Sequence, residues 1–576
     1  MHEKREITPE DIAAIAKATH QPEAAVFGVA TYYGDLGMKK RGRTRVKVCK
    51  GTACFAACHD ASVHWMEDAL GVKLGETSAD GSVSLEEVYC LGYCNAGPSV
   101  AVESAGAEPR VYGELTPERA RVLAKDLGRG ADVPLAKDAL VPRFEVHGCP
   151  AIVLERLAQP IDATSLDVAR KHHAFEGLKK ALGMTADDVL AEVERSQLRG
   201  RGGAGFPTAT KWRFAAANAA KVKDAYVVCN ADEGDPGSYI DKYLMERDPF
   251  AVVEGVAIAG YAIGATRGFI YVRSEYPESA PALRRAVENA RAAGLLGANV
   301  MGKGFAFDID VVEGAGSYVC GEETALLRSL EGLRGMVTAR PPFPAERGLF
   351  EKPTIVNNVE TLSNLGWIVR FGGEAYAKHG IGKSRGTKCV SLNERFARPG
   401  MYEVPLGTPL RRISNELGGG LKTGRIKAVQ VGGPLGGVLP DAMLDTPLGF
   451  EELDAVGALL GHGGIVAWDE SADVRDIAVH LFEFCDAESC GKCFPCRIGG
   501  RRGLELVKRL KTTKDRAQID ADVALLTELC ETMKLGSLCA HGGAIPIPIA
   551  SLLVHFREEM TRGAGAEGDR PKAGGR

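Results

Sequence analysis

Three cysteines, Cys490, Cys493 and Cys496, stand at three-residue intervals in the stretch AESCGKCFPC. Zinc sites usually pair their cysteines as two separated Cys-x-x-Cys hooks around a tetrahedron. Three consecutive thiolates with a fourth ligand elsewhere is instead the spacing of a cubane [4Fe–4S] cluster, held by one tight loop and a distant arm. Two later cysteines are available as that arm. Cys530 falls inside an apolar helical pattern and reads as a buried thiol. Cys539, in KLGSLCAHGG, lies in a glycine-flanked loop that can approach a cluster, and it is the expected ligand. Spacing alone leaves the choice open.

A second set lies near the N-terminus. Cys49 and Cys54 belong to CKGTAC, and Cys90 and Cys94 to CLGYC. These pairs are wider than those of a zinc ribbon and suit a flat [2Fe–2S] rhomb held by two loops. Cys58 is a spare thiol one helical turn beyond Cys54. Cys149, Cys229, Cys320, Cys389 and Cys485 stand alone and are expected to be packing residues.

Between the two cysteine sets lie glycine-rich loops. LRGRGGAGFPT, 198–208, matches G-x-G-x-x-G at Gly200, Gly202 and Gly205, but the preceding LAEVERSQ reads as helix rather than strand. The dinucleotide fingerprint therefore fails on context. What remains is consecutive backbone N–H groups able to meet a phosphate or a flat ring. Lys211 is the nearby cation, and Phe206 and Phe214 are stacking surfaces. In VVCNADEGDPGS, 227–238, an apolar strand delivers Asn230, Asp232, Glu233 and Asp235 to one loop, the place where α/β sheets bind ligands. EGAGSYVCGEETALL, 313–327, repeats the theme before a helix expected to start at Glu322-Glu323. TIVNNVETL, 354–362, adds Asn357 and Asn358.

These groups need scaffolds. The chain has 576 residues, 45% of them hydrophobic and 25% charged, with a net charge of −4. That length implies several domains with ample core, so the 15 cysteines are not needed as staples. The charge does not ask for nucleic acid or an acidic membrane. There is no apolar leader and no run of ~18 apolar residues, so a cytoplasmic protein with reduced thiols is expected. The expected fold is α/β and multidomain. A small α/β domain spans 1–128, opening on a helix capped at Thr8 with Pro9 at its first position. A linker is expected at 129–150, the glycine-loop domain at 151–385 and a small β-rich domain at 386–465. A helical bundle is expected at 466–562, from the periodicity of VRDIAVHLFEF and VALLTELCETM, and a disordered tail at 563–576.

Taken in order, GRGGAGFPTATKW, NADEGDPG, GSYVCGEETAL, RPPFPAERGLFEKPTIVNNVETL, ESCGKCFPCRIG and SLCAHGG closely resemble the NADH-binding flavoprotein subunit of respiratory complex I and its soluble relatives, over about 195–560. EAAVFGVATYY, CKGTAC and CLGYCNAGP resemble the thioredoxin-fold [2Fe–2S] subunit of the same complexes. Both parts in one chain resemble the diaphorase subunits of soluble NAD-linked formate dehydrogenases and NAD-reducing hydrogenases. The resemblance implies a thioredoxin-like ferredoxin domain, a Rossmann-like FMN/NADH domain, a β-grasp domain and a cluster-bearing helical bundle. It implies FMN on Gly200, Arg201, Gly202, Lys211, Asn230, Asp232, Tyr318, Gly321, Glu322, Asn357, Asn358 and Thr361. It implies NADH on Gly203, Ala204, Phe206, Phe214, Asp235, Glu323, Arg340 and Phe343, with Asp235 and Arg340 standing where the family often has Glu and Lys. The clusters are one [2Fe–2S] on Cys49, Cys54, Cys90 and Cys94 and one [4Fe–4S] on Cys490, Cys493, Cys496 and Cys539.

NADH gives up two electrons as hydride and iron–sulfur clusters take one at a time, so a flavin belongs between them. Hydride transfer needs no protein acid or base. Glu233 is expected to act electrostatically, keeping nucleotide affinity modest. The expected partner is a catalytic subunit, in first place a molybdenum or tungsten formate dehydrogenase, with an NAD-reducing hydrogenase or a complex I-like dehydrogenase as alternatives. A zinc-stabilised scaffold without activity is the reading of a different class.

Overall fold

The structure is a computed structural model that describes residues 6–104, 106–127, 140–222 and 224–563. The stretch 564–576, expected as a tail, lies outside the described residues. The first helix, Pro9–Thr19, starts as its sequence dictates. Thr8 caps it, and Thr8 and Asp11 form a reciprocal capping box. After a second helix, Glu23–Ala30, comes a four-stranded sheet ordered Val83–Val88, Thr44–Cys49, Val100–Ser104, Arg110–Tyr112. Its first pair is parallel and the others are antiparallel. Both cysteine pairs sit just beyond the ends of its strands, Cys49 closing one strand and Cys90 following another.

The central domain is a parallel sheet ordered Asp308–Glu313, Arg267–Val272, Tyr226–Ala231, Thr354–Asn358. Helix Pro249–Ile263, apolar and buried nearly all round, packs on it. In such a sheet every strand ends on the same side, so the loops after Ala231, Glu313 and Asn358 converge there.

A mixed six-stranded sheet follows, ordered Val438–Pro440, Ile426–Val431, Gly464–Asp469, Thr387–Leu392, Gly400–Pro405, Arg143–Val146. Two domain limits need correction. The expected linker 129–150 is only partly described, and its described part is ordered. Arg143–Val146 is an edge strand parallel to Gly400–Pro405. Just beyond it, the buried Glu403 carboxylate accepts the backbone N–H groups of Ile152, Val153 and Leu154 at 2.9–3.3 Å. The limit at 465 falls inside strand Gly464–Asp469, which belongs to this sheet.

The last part is helical, with Val474–Ala487, Phe494–Thr512, Arg516–Gly536 and Pro546–His555 as its long members. It also clamps the N-terminal domain. His480 stacks on Phe55 with ring centroids 4.2 Å apart, and its Nε2 lies 3.3 Å from Thr52 Oγ1. Among the described residues no helix is long and apolar enough to cross a membrane.

Candidate functional site

At the C-terminal ends of the parallel strands a cavity of about 880 Å³ opens. Every cofactor-binding residue named from the sequence lines it except Arg201. One wall is the glycine loop. It is folded back on itself, with Gly200 N–H donating to Phe206 O at 2.9 Å and Gly203 and Gly205 at φ 122° and 61°. A Cβ on Gly202 would lie 3.0 Å from the Asn358 side chain, so a larger residue there would have to push Asn358 aside.

The strand ends supply polar groups whose own bonds hold them in place. Asn230 Nδ2 donates to Gly321 O at 2.7 Å, and Trp212 Nε1 donates to Asn357 Oδ1 at 2.8 Å. Asn358 Oδ1 accepts from Thr361 N–H at 3.0 Å. Glu322 Oε2 caps helix Glu323–Leu330, while its Oε1 is buried without a hydrogen bond, with Arg340 Nη2 3.8 Å away. A buried acceptor without a hydrogen bond on a cavity wall is what a ligand N–H would satisfy. Lys211 Nζ and Arg340 Nη1 both meet Glu323, at 3.3 and 2.7 Å. At the mouth Phe206, Phe214 and Phe343 are each about half exposed, at 52, 49 and 51%. Large aromatics held in water beside a cavity suit a stacked ring.

Two sequence expectations are corrected. Arg201 serves the fold: its guanidinium donates to Thr387 O, Tyr376 OH and Arg385 O, and only its backbone N–H, bound to Thr361 Oγ1 at 2.8 Å, touches the site's framework. Glu233 is fully buried and does not face the cavity. Its carboxylate accepts Ser238 Oγ and the N–H groups of Ile240, Asp241 and Lys242, anchoring the start of helix Ile240–Arg247. The acid of this loop that faces the cavity beside Asp232 is Asp235, whose Oδ1 accepts Tyr318 OH at 2.7 Å. Burial raises the carboxyls of both Asp232 and Asp235.

Sequence reasoning missed the opposite wall, Gly432, Leu435, Leu459, Gly461 and His462. The signals that could have found it are the glycine pairs in VGGPLGG and GHGG. His462 Nε2 lies 2.8 Å from Asp241 Oδ2 and 3.7 Å from Glu233 Oε1. Burial opposes its charge, but these carboxylates outweigh it and lift the imidazole to about 9.

The N-terminal cysteines form one interlocked, buried group. Cys90 Sγ and Cys94 Sγ are 3.9 Å apart, and the Cys49 thiol contacts both Cys54 and Cys90. Gly51 is pressed between Cys90 and Pro236, where a Cβ would lie 2.6 Å from Cys90 Cβ. Among the later cysteines, Cys493 contacts the Cys496 thiol. Cys490 and Cys539 flank one apolar cluster, and Gly542, three residues after Cys539, would place a Cβ 3.0 Å from Cys496 Sγ. Cys539 also lines the large cavity, whereas burial alone raises the Cys530 thiol to about 12 and no other cysteine acts on it. The Cys496 thiol is lowered to about 7, first by Cys485, with Ser489 and Cys493 adding to it. Both donor sets consist of thiols, the ligand type that iron–sulfur clusters need.

This fold and site define a flavin- and iron–sulfur-dependent NADH oxidoreductase. Residues 193–367 match the Nuo51 FMN-binding domain, 1–128 the thioredoxin-like [2Fe–2S] ferredoxin, and 476–563 the NADH-ubiquinone oxidoreductase-F iron–sulfur binding region. The chain is 41% identical over 401 residues to the NADH-quinone oxidoreductase F chain of Escherichia coli (strain K12), covering 69% of this chain and 89% of that one. It is 46% identical over 400 residues to the NADP-reducing hydrogenase component HndC of Solidesulfovibrio fructosivorans, covering 69 and 80%. A crystal structure of NAD⁺-reducing [NiFe]-hydrogenase in the H₂-reduced state superposes with a TM-score of 0.83 at 29% identity, covering 97% of this chain and 91% of that one. The chain belongs to the family of NADH-binding flavoproteins of the NADH-quinone oxidoreductases, with FMN, NAD(H), one [2Fe–2S] and one [4Fe–4S] cluster as its cofactors.

Proposed function

We propose that this chain is the diaphorase subunit of a dehydrogenase, exchanging electrons between NAD(H) and a separate catalytic subunit. The observation that carries this reading is a shared wall. The cavity lined by the FMN and NADH residues is also lined by Cys539 and His541 of the [4Fe–4S] loop. Bound there, FMN supplies the conversion between hydride and single electrons. The protein's part is to position and to exclude water. Phe206, Phe214 and Phe343 would flank the nucleotide's rings, Lys211 and Arg340 would meet its polar groups, and Glu322 Oε1 would accept a cofactor N–H. Asp235, rather than Glu233, is the carboxylate that tempers nucleotide affinity.

Electrons leave beside the [4Fe–4S] loop. Phe494 (77% exposed), Ile498, Leu535 and Leu538 make an uncovered apolar patch there, knit by Pro495 against Gly536. Lys492, Arg497 and Lys534 are exposed around it without an ion pair among the described residues. This is the docking face for a catalytic partner with an acidic rim.

Formate is the substrate we favour for that partner, a choice that the fusion of both cluster-bearing parts in one chain does not make, because the [NiFe]-hydrogenase chain matches 97% of this one. HndC and the [NiFe]-hydrogenase support hydrogen as the second reading. Purification of the complex without oxygen decides. Molybdenum or tungsten with formate-dependent NAD⁺ reduction upholds the first, and nickel with hydrogen-dependent reduction replaces it. For the chain itself, about six irons and one flavin with rapid NADH oxidation are expected. Zinc without flavin or turnover would overturn the diaphorase reading in favour of a scaffold.

A further inference from the structure

Cys485, expected from its isolation to be a packing residue, lies against the cluster ligands. It sits on helix Val474–Ala487, fully buried. Its sulfur, the Cys496 sulfur and a ring nitrogen of His541 all lie within 4.8 Å of one another. Cys490, Cys493, Cys496 and Cys539 already supply the four thiolates a cubane needs, so Cys485, packed on Cys496, is read as a neighbour of a ligand and not as a fifth ligand. A thiol beside a metal-bound thiolate has one role open to it, that of hydrogen-bond donor.

Ser489 makes the same contact from the other side. Its Oγ lies 3.3 Å from Cys496 Sγ and accepts the Gly491 N–H at 3.2 Å. Since the oxygen already accepts, the hydroxyl proton is free for the sulfur. The position of Cys485 is itself held. His541 Nε2 faces the Cys485 carbonyl oxygen at 3.1 Å, and a carbonyl only accepts, so Nε2 carries the proton. Gly500 lies opposite, where a Cβ would come within 3.2 Å of the Cys485 sulfur.

We propose that Cys485 and Ser489 are potential-setting residues, which donate hydrogen bonds to the Cys496 sulfur and raise the reduction potential of the [4Fe–4S] cluster. The physical reason is that the cluster gains one negative charge on reduction, and donors to a ligand sulfur stabilise the reduced form more than the oxidised one. The site is asymmetric: among the described residues, no hydrogen bond joins a side-chain hydroxyl, or a thiol outside the four cluster cysteines, to Cys490 or Cys493. The bonds therefore bias the corner whose ligand is next to His541, a residue that also lines the flavin cavity. This inference rests on the cluster assignment of the proposed function.

The test is a redox titration of the cofactor-loaded chain, following the [4Fe–4S] signal by EPR, with iron counted per chain. Cys485→Ala and Ser489→Ala should each lower the cluster's midpoint potential with iron content unchanged. Cys485→Ser, with a better donor of similar size, should restore or exceed the wild-type value. An unmoved potential in both alanine variants at full iron would overturn the proposal. So would loss of the [4Fe–4S] signal in Cys485→Ala but not in Cys539→Ala, which would make Cys485 a ligand. Should Cys485→Ala fail to fold, Cys485→Ser and Ser489→Ala still decide through the sign of their shifts. A wild-type chain without a [4Fe–4S] signal would refute the cluster reading instead.

Discussion

The two cysteine sites solve one chemical problem in opposite ways. Around Cys49, Cys54, Cys90 and Cys94 all four thiols are buried and in mutual contact. The site is sealed by a second domain. Tyr89 O accepts Arg273 Nη2 at 2.9 Å, the Gly237 N–H bonds the Cys94 sulfur, and Gly92 would carry a Cβ into the Tyr276 ring. Around Cys490, Cys493, Cys496 and Cys539 two of the thiols are partly exposed, and the loop stands between the large cavity and an uncovered apolar patch. The difference teaches that the first site is stored in the fold and the second is placed for traffic. One loop, 232–238, ties the first site to the cavity. Asp232, Gly234 and Asp235 line the cavity, while Pro236 and Gly237 reach the [2Fe–2S] cysteines.

The largest effect that can break this comparison is ligand removal. Cys539→Ala should abolish the [4Fe–4S] EPR signal and remove about four of six irons while leaving the [2Fe–2S] signal intact. Cys530→Ala should leave both, and the reverse pattern would exchange the two assignments. Next comes the anchor of the shared loop. Glu233→Gln takes the charge from a carboxylate that holds three backbone N–H groups and faces His462, and should cost about 3 kcal/mol of stability in denaturant unfolding. Nucleotide affinity should stay as it was. Tighter nucleotide binding at unchanged stability would restore Glu233 to the site.

Asp235→Asn removes one of the carboxylates that line the cavity and should tighten NADH binding about tenfold, or about 1.4 kcal/mol, in equilibrium titration. Unchanged affinity would mean that Tyr318, not the nucleotide, is the acid's concern. The smallest effect is a slope. His462 has a folded pKa of about 9, above the ordinary 6.5. Its charge therefore stabilises the fold fully below pH 6.5, and that contribution is lost as pH rises through 9. His462→Gln should flatten this fall between pH 6.5 and 9 in thermal melts, and a slope identical to wild type would deny the charge on His462.

Much of this was readable from sequence wherever the chemistry is local. The Cys490–Cys496 triplet, the capped helix at Thr8 and the strand that delivers Asn230 and Asp232 are short-range patterns, and short-range backbone geometry realises them. The misreadings share a cause. Glu233 and Asp235 are two residues apart in one acidic loop, and nothing in NADEGDPG says which carboxylate turns into the helix start and which into the cavity. Arg201 sits in the middle of a phosphate-binding pattern yet points to three acceptors from 376–387. The expected linker hid a strand because Arg143–Val146 is four residues long and finds its partner more than 250 residues later.

By itself, then, the sequence determined the cofactor set, the order of the domains and most of the cavity wall. Ligand spacing and glycine placement are covalent facts, and they constrain what can bind. Only the tertiary structure decided which side chains those groups meet. It put Cys485 on Cys496, His462 between two buried acids, and Cys539 in the wall of the large cavity. Each of those contacts joins segments far apart in the chain. Their worth comes from burial and close approach, which no linear pattern encodes.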